Sequence, residues 1–477
     1  MAFCNPSRLR WPFGTRTRHA PSGLWCALIF LPALLIGLVP SQQAAAQGIQ
    51  LIRDTEIERV LRTYEVPLLQ AANIDPATIK LYLVSDPEIN AEATQSPISA
   101  EGEDIIVNTG TFLQLDSPNQ VIGILAHETG HIAGGHLVRD TAAMQKASIP
   151  MLLGMVVGVA AMAAGGGEAG MGAIMLGQQA AQSQFFAFSR AQEATADQMG
   201  QRYLLKTHQS GRGMLEVFEK FADDDARGAY YQMAFISDHP ADRQRIDELE
   251  REVDSSPYRD TKDSPETVHE FHMIQAKLAG YLSTPDAVLQ RWPMSDQSEE
   301  AHYARAMAFF RKPDMAKALA EINALIKEEP ANPYFWEVLG QIYVQMAQPV
   351  KGIGPYEKSV NLLPDAPLIR IDLAAAQLAT ERQDLAKQAL TNLKIALQQE
   401  STNTFAWYEL AAAYSALGND PMANLSTAEF NYNIGDMRKA GYFATMAAHD
   451  LPKGTPDWQR ANDIMAVIGP TQAREQR

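Results

Sequence analysis

Two cysteines in 477 residues, both among the first 26, leave the rest of the chain without a thiol. Beyond Cys26 no disulfide forms, and sulfur serves neither as nucleophile nor as metal ligand. Positive charge is also short, since 40 Lys and Arg face 56 Asp and Glu. Such a surface repels a polyanion, which excludes nucleic acid as a partner. Long hydrophobic runs are scarce as well. A membrane span needs about 20 apolar residues, and the uncharged stretch 147–167 reaches that length only by counting Ala and Gly. That stretch suits a buried helix, a lid, or a segment in peripheral membrane contact.

What is present begins with a leader. Arg8, Arg10, Arg16 and Arg18 precede an apolar core from Leu24 to Val39, and Ala44-Ala45-Ala46 offers small residues at a cleavage position. Residues 1–46 therefore read as a secretory signal. Residues 50–62 have the spacing of an amphipathic helix, while Ile79 to Val84 and Asp104 to Gly110 read as strands, the second ending at a Gly turn. Ser117-Pro118 opens a helix with a capping hydroxyl and a proline at its first position. From there VIGILAHETGHIAGGHLV continues as one apolar helix, and RAQEATADQMGQRYLL forms another. Pro240 starts a further one.

The polar stretch 252–264 marks a boundary, giving 47–262 as one domain and 263–477 as a second. In the second, Pro330 and Pro364 end helices 34 residues apart, and Trp336, Leu339, Gly340 and Tyr343 share their spacing with Trp407, Leu410, Ala411 and Tyr414. This is the pattern of tetratricopeptide repeats, an α-solenoid with a curved face for partners. The two tryptophans stand 71 residues apart, so one repeat is lengthened.

The chemistry centres on His127-Glu128-Thr129-Gly130-His131. Histidines four apart stand on one helix face and grip one ion, and the glutamate between them activates water. Zinc would lower the pKa of that water, and Glu128 would take its proton and pass it to the departing amine. The surrounding face is apolar, so two imidazoles and a carboxylate there need partners. A catalytic zinc takes three protein ligands. His136 fits poorly by helical angle and reads as a neighbour of the site. Glu193 is the better third ligand, with Asp197 one turn on to accept the outer ring hydrogen of a ligand histidine. His239 suits an oxyanion donor or an occupant of the open metal position. Arg243 suits an anchor for Glu193 or Glu128, or an oxyanion stabiliser, and spacing does not separate these roles.

The segments AHETGH at 126–131, SRAQEATADQMG at 189–200 and SDHPADRQRI at 237–246 resemble the M48 family of metallopeptidases. Within it, the chain looks like the periplasmic BepA-type subgroup with C-terminal tetratricopeptide repeats. The resemblance implies a mainly α fold, a zincin-like metallopeptidase domain with a small β-sheet followed by the solenoid. It implies His127, His131 and Glu193 as ligands of one Zn2+, Glu128 as general base and Asp197 as their support. It places His239 on an additional ligand that switches latent and active states, and Arg243 on the basic position after it. It also implies a periplasmic endopeptidase acting on misfolded or stalled envelope proteins, with outer-membrane assembly or lipopolysaccharide-export machinery as partners. The alternative is a largely latent protease that works mainly as a chaperone, its zinc latched by His239. Asn90-Ala91-Glu92-Ala93 departs from the family in its acid, beside strand 105–109, which in relatives looks like the edge that pairs with extended peptide.

Overall fold

The computed structural model describes residues 50–95, 102–163, 167–226, 239 and 243–472. The secretory leader and the Pro240 helix start lie outside the described residues. Where the spacing suggests a helix from residue 50, a short strand β1 (Leu51–Ile52) comes first, and the helix α1 (Thr55–Ala71) begins only after Asp54 caps it. The Asp54 carboxylate accepts from the Ile57 N–H at 3.1 Å, and a capped start fixes the helix boundary more firmly than periodicity does.

Strands β2 (Ile79–Val84), β3 (Ala91–Gln95) and β4 (Glu103–Asn108) complete a sheet in the order β1-β2-β4-β3. β2 and β4 run parallel with Leu83 opposite Val107, and β3 returns antiparallel with Ala93 opposite Ile105. This corrects the expected edge: the 105–109 region is internal, and β1 and β3 are the outer strands of the sheet. β4 does not end in a turn at Gly110, because Thr109–Gln114 continues as helix α2.

Helix α3 (Pro118–Gly134) is buried at Pro118 and from Gln120 to Ile132. The Ser117 hydroxyl accepts from the Gln120 N–H at 3.4 Å, and Gly135 ends the helix with φ 61°, a left-handed stop that glycine adopts without strain. The helix therefore does not run on through Val138. Helix α4 (His136–Ala163) starts anew and forms an arm with α5 (Gly167–Lys206). Close crossing of the arm rests on glycine, since a Cβ on Gly154 would lie 2.8 Å from the Gly177 Cα. Stretch 147–167 is not a buried helix: Ile149, Leu152, Leu153, Val156 and Val157 are exposed on α4, as are Met171, Met175 and Leu176 on α5. Among the described residues no helix is long and apolar enough to cross a membrane.

Helices α6 (Arg212–Ala226) and α7 (Arg243–Ser255) pack beside α3 and α5, and α8 (Pro265–Leu282) follows. The first core gathers Ile57, Leu61, Leu83, Val107, Leu125, Phe221 and Phe271 from these elements. Just past the polar stretch 252–264, helix α8 packs against two cores. On α8, Phe271, Ile274 and Leu278 join the first core, while Met273, Ala276 and Tyr281 join the next.

Beyond it the chain forms antiparallel helix pairs, an α-solenoid. The helices are α9 (Pro285–Arg291), α10 (Glu299–Arg311), α11 (Met315–Glu328), α12 (Pro333–Gln345), α13 (Pro349–Leu362) and α14 (Pro367–Leu378). They continue as α15 (Gln383–Gln399), α16 (Thr404–Ala416), α17 (Asp420–Asn433), α18 (Met437–Asp450) and α19 (Pro456–Gln472). Equivalent side chains bond the carbonyl six residues back: Trp336 to Pro330 at 2.9 Å, Arg370 to Pro364 at 3.1 Å and Trp407 to Ser401 at 2.7 Å. The lengthened interval has a physical source, because α15 has 17 residues where α13 has 14.

Candidate metal centre

Helix α3 presents His127 and His131 one turn apart, with their Nε2 atoms 3.1 Å from each other. Gly130 between them lets α5 approach, since a Cβ there would lie 2.6 Å from the Ala196 carbonyl oxygen. That crossing brings Glu193 in. Its Oε2 lies 3.3 Å from His127 Nε2 and its Oε1 3.4 Å from His131 Nε2. His239 completes the group, its Nδ1 3.2 Å from His127 Nε2 and 3.1 Å from Glu193 Oε2. The four donor atoms lie within 4.8 Å of one another. A tetrahedron around an ion with bonds of about 2.0–2.1 Å has edges of about 3.3 Å, which these separations match. Three imidazole nitrogens and a carboxylate turned on one point fit a cation better than they fit each other.

The outer ring nitrogens are held too. His127 Nδ1 lies 3.0 Å from Asp197 Oδ1, and His131 Nδ1 lies 3.1 Å from His136 Nδ1. His136 thus stands behind the site rather than in it. Arg245 binds Asp197 with both ends of its fork, at 2.7 and 2.9 Å, and reaches Glu193 at 3.2 Å. It stacks over Phe218, whose ring meets His127 edge-on. Arg243, by contrast, is exposed. The guanidinium that touches the site comes from Arg245, two residues further.

Electrostatics follow from this packing. Burial opposes a charge on His127, but hydrogen bonds to Asp197 and Glu193 outweigh it and push the imidazole up to about 10. Burial and the charge of His127 both hold His131 well below its usual value. Glu193 and Asp197 resist burial through their histidine and arginine partners and stay below the usual carboxylate range. Glu128 is raised by burial, with His239 and His127 pulling the other way. Its Oε2 accepts from the Ala93 N–H at 2.8 Å, so the outer edge of β3 lies directly against it.

Residues 52–253 match the model of peptidase family M48. Residues 52–253 are a peptidase family M48 domain. The chain is also 22% identical over 412 residues to the beta-barrel assembly-enhancing protease of Escherichia coli (strain K12), covering 85% of this chain and 81% of that one. A putative beta-barrel assembly-enhancing protease of Vibrio cholerae is 24% identical, with 81% and 79% covered. Metalloprotease LoiP of Escherichia coli (strain K12) is 29% identical over 198 residues, 41% of this chain and 70% of that one.

The M48 domain and its buried His127–His131–Glu193–His239 cluster make this chain a metallopeptidase. Sequence reasoning brought every member of that cluster forward, with Glu128 and Asp197. It missed Arg245 and the Ala93 N–H. A signal for Arg245 existed, since Ile246, Leu249 and Val253 set the buried face of α7, and Arg245 lies one turn before Leu249. No side-chain pattern announces a backbone donor.

Proposed function

We propose that the chain is a zinc-dependent endopeptidase of the periplasm, exported by the signal at 1–46, that degrades misfolded or stalled outer-membrane proteins. The observation that carries this reading is Glu128, a buried carboxylate beside the metal cluster and against the outer edge of β3. His127, His131 and Glu193 would hold the ion. Zinc, when bound, supplies a Lewis acid that polarises a peptide carbonyl and acidifies water. An extended substrate segment would add to the outer edge of β3, displacing Glu128 from the Ala93 N–H as it pairs. Glu128 takes the proton of the attacking water on its carboxylate and returns it to the amine of the broken peptide bond. Asp197 fixes the His127 ring, and Arg245 fixes Asp197. In this division 47–262 is the peptidase and 263–477 a tetratricopeptide domain that recruits substrates or outer-membrane assembly machinery. Similarity to proteases named for enhancing beta-barrel assembly supports that assignment.

A second reading has its own observation. His239 Nδ1 sits at ligand distance from both His127 and Glu193, so the four-donor set leaves no position for water. His239 would then latch the enzyme, and the chain would work chiefly as a chaperone or assembly factor until the latch moves.

The test times cleavage of casein by the mature chain, by Glu128→Gln and by His239→Ala. Cleavage lost in the Gln variant supports the peptidase. Faster cleavage by His239→Ala supports the latch. Cleavage retained by Glu128→Gln overturns the role given to Glu128, and no cleavage by any of the three overturns the degradative reading.

A further inference from the structure

The solenoid holds a row of acids that its own cations do not neutralise. Helices α12, α14 and α16 open successive pairs and touch one another directly. They carry Glu337, Asp372 and Glu409 in turn. Gln341, one turn beyond Glu337, reaches Asp372 at 3.4 Å, which sets those two acids side by side. Glu337 is 2% exposed, and its Oε2 has no hydrogen-bond partner among the described residues. Asp372 and Glu409 are half-buried, so the row deepens from the surface toward Glu337.

The nearest cation is already committed. Lys277 Nζ lies 2.7 Å from Asp54 and 3.0 Å from Glu56. Among the described residues no Lys, Arg or His pairs with Glu337, Asp372 or Glu409. Burial pushes Glu337 up to about 8 against the pull of Lys277, and Glu409 up to about 7, with Asp372 adding to both. Tyr334 and Tyr356 flank the buried end, both under the influence of Glu337. Desolvated acids without a counter-charge are costly to keep, and a folding unit needs only apolar side chains there.

We propose that this row binds basic side chains of an extended polypeptide held by the repeats. A divalent ion is the poorer occupant, because these oxygens are not among the groups that converge on one point. Spacing gives the pattern. Neighbouring helix axes lie about 10 Å apart, and a chain extended as polyproline II rises about 3.1 Å per residue with three residues per turn, so every third side chain faces the same way. Lysines or arginines at about every third residue would therefore meet successive acids. A long flexible stem suits the buried end. The inference rests on the reading of the repeats as the recruiting half, and not on cleavage.

The experiment measures fluorescence anisotropy of a labelled Gly-Ser peptide with a lysine at every third residue, and of its acetyl-lysine twin. The protein is the full mature chain carrying Glu128→Gln, so that the probe survives whether or not the enzyme cleaves. The comparison adds Glu337→Gln, Asp372→Asn and Glu409→Gln together. The expected result is a loss of at least about tenfold in affinity for the lysine peptide, with no change for the acetylated twin. Melting curves check the fold, and Glu409→Gln alone repeats the comparison, with a smaller loss, if the triple variant unfolds. Equal binding by both proteins overturns the proposal, as does an acetylated twin that binds as tightly as the lysine peptide. Failure of the wild type, Glu128→Gln and His239→Ala alike to cleave casein would sink the peptidase reading and leave this one standing.

Discussion

At the scale of single residues, the site depends on groups that never touch substrate. Arg245 neutralises Asp197 and touches Glu193, so Arg245→Met is expected to weaken zinc affinity about 10- to 100-fold. Competition with a coloured chelator measures this, and the exposed Arg243→Ala serves as the comparison that should change nothing. Unchanged affinity in Arg245→Met would remove the supporting role. A second residue sets a pH effect away from the site. Burial raises Glu65 from 4.5 to about 7 against the pull of Arg62. The folded state therefore holds this proton more tightly than the unfolded one. The stability it gives is complete below 4.5 and lost as pH rises toward about 7. Glu65→Gln is expected to flatten the fall of Tm across that interval, as read by circular dichroism. His127 and His131 were legible as a pair because a four-residue interval is one helical turn. Arg245 was harder, because two arginines share one short segment and only the phase of α7 separates them.

At the scale of elements, the α3–α5 crossing decides whether the ligands meet. Gly130→Ala forces the Ala196 backbone away and carries Glu193 with it. Such overpacking is expected to cost about 1–3 kcal/mol in urea unfolding, together with a measurable loss of zinc. A variant of wild-type affinity would mean that α5 is positioned by something else. Elements with strong side-chain periodicity or capping were readable: α3 from Ser117-Pro118, the solenoid from its repeated Trp and Tyr. The edge strand was not. Ala91-Glu92-Ala93-Thr94-Gln95 has no apolar alternation of large residues, and it is a strand because small alanines let it lie between β4 and α3. Tertiary contact, not propensity, makes it extended. The same holds for Gly135, whose backbone breaks what reads as one continuous helix.

At the scale of the whole molecule, the α4–α5 arm leaves an apolar surface in water, with Val156 68% exposed. Leu152→Gln with Val156→Gln is expected to lower binding of an apolar dye while changing stability by less than about 0.5 kcal/mol. Dye binding that stays constant would place the exposed surface elsewhere. Helix α8 raises a different matter, because one of its faces completes the peptidase core and the next completes the first repeats. A helix shared in this way is a common wall. Neither half can melt without stripping the other, so heat should take the chain apart in one endotherm whose calorimetric and van't Hoff enthalpies agree. A peptidase half cut off at residue 262 would lack Phe271, Ile274 and Leu278 and expose the hollow they fill. The repeats thus act as a structural chaperone for the very enzyme they are joined to, present in every molecule and at fixed stoichiometry.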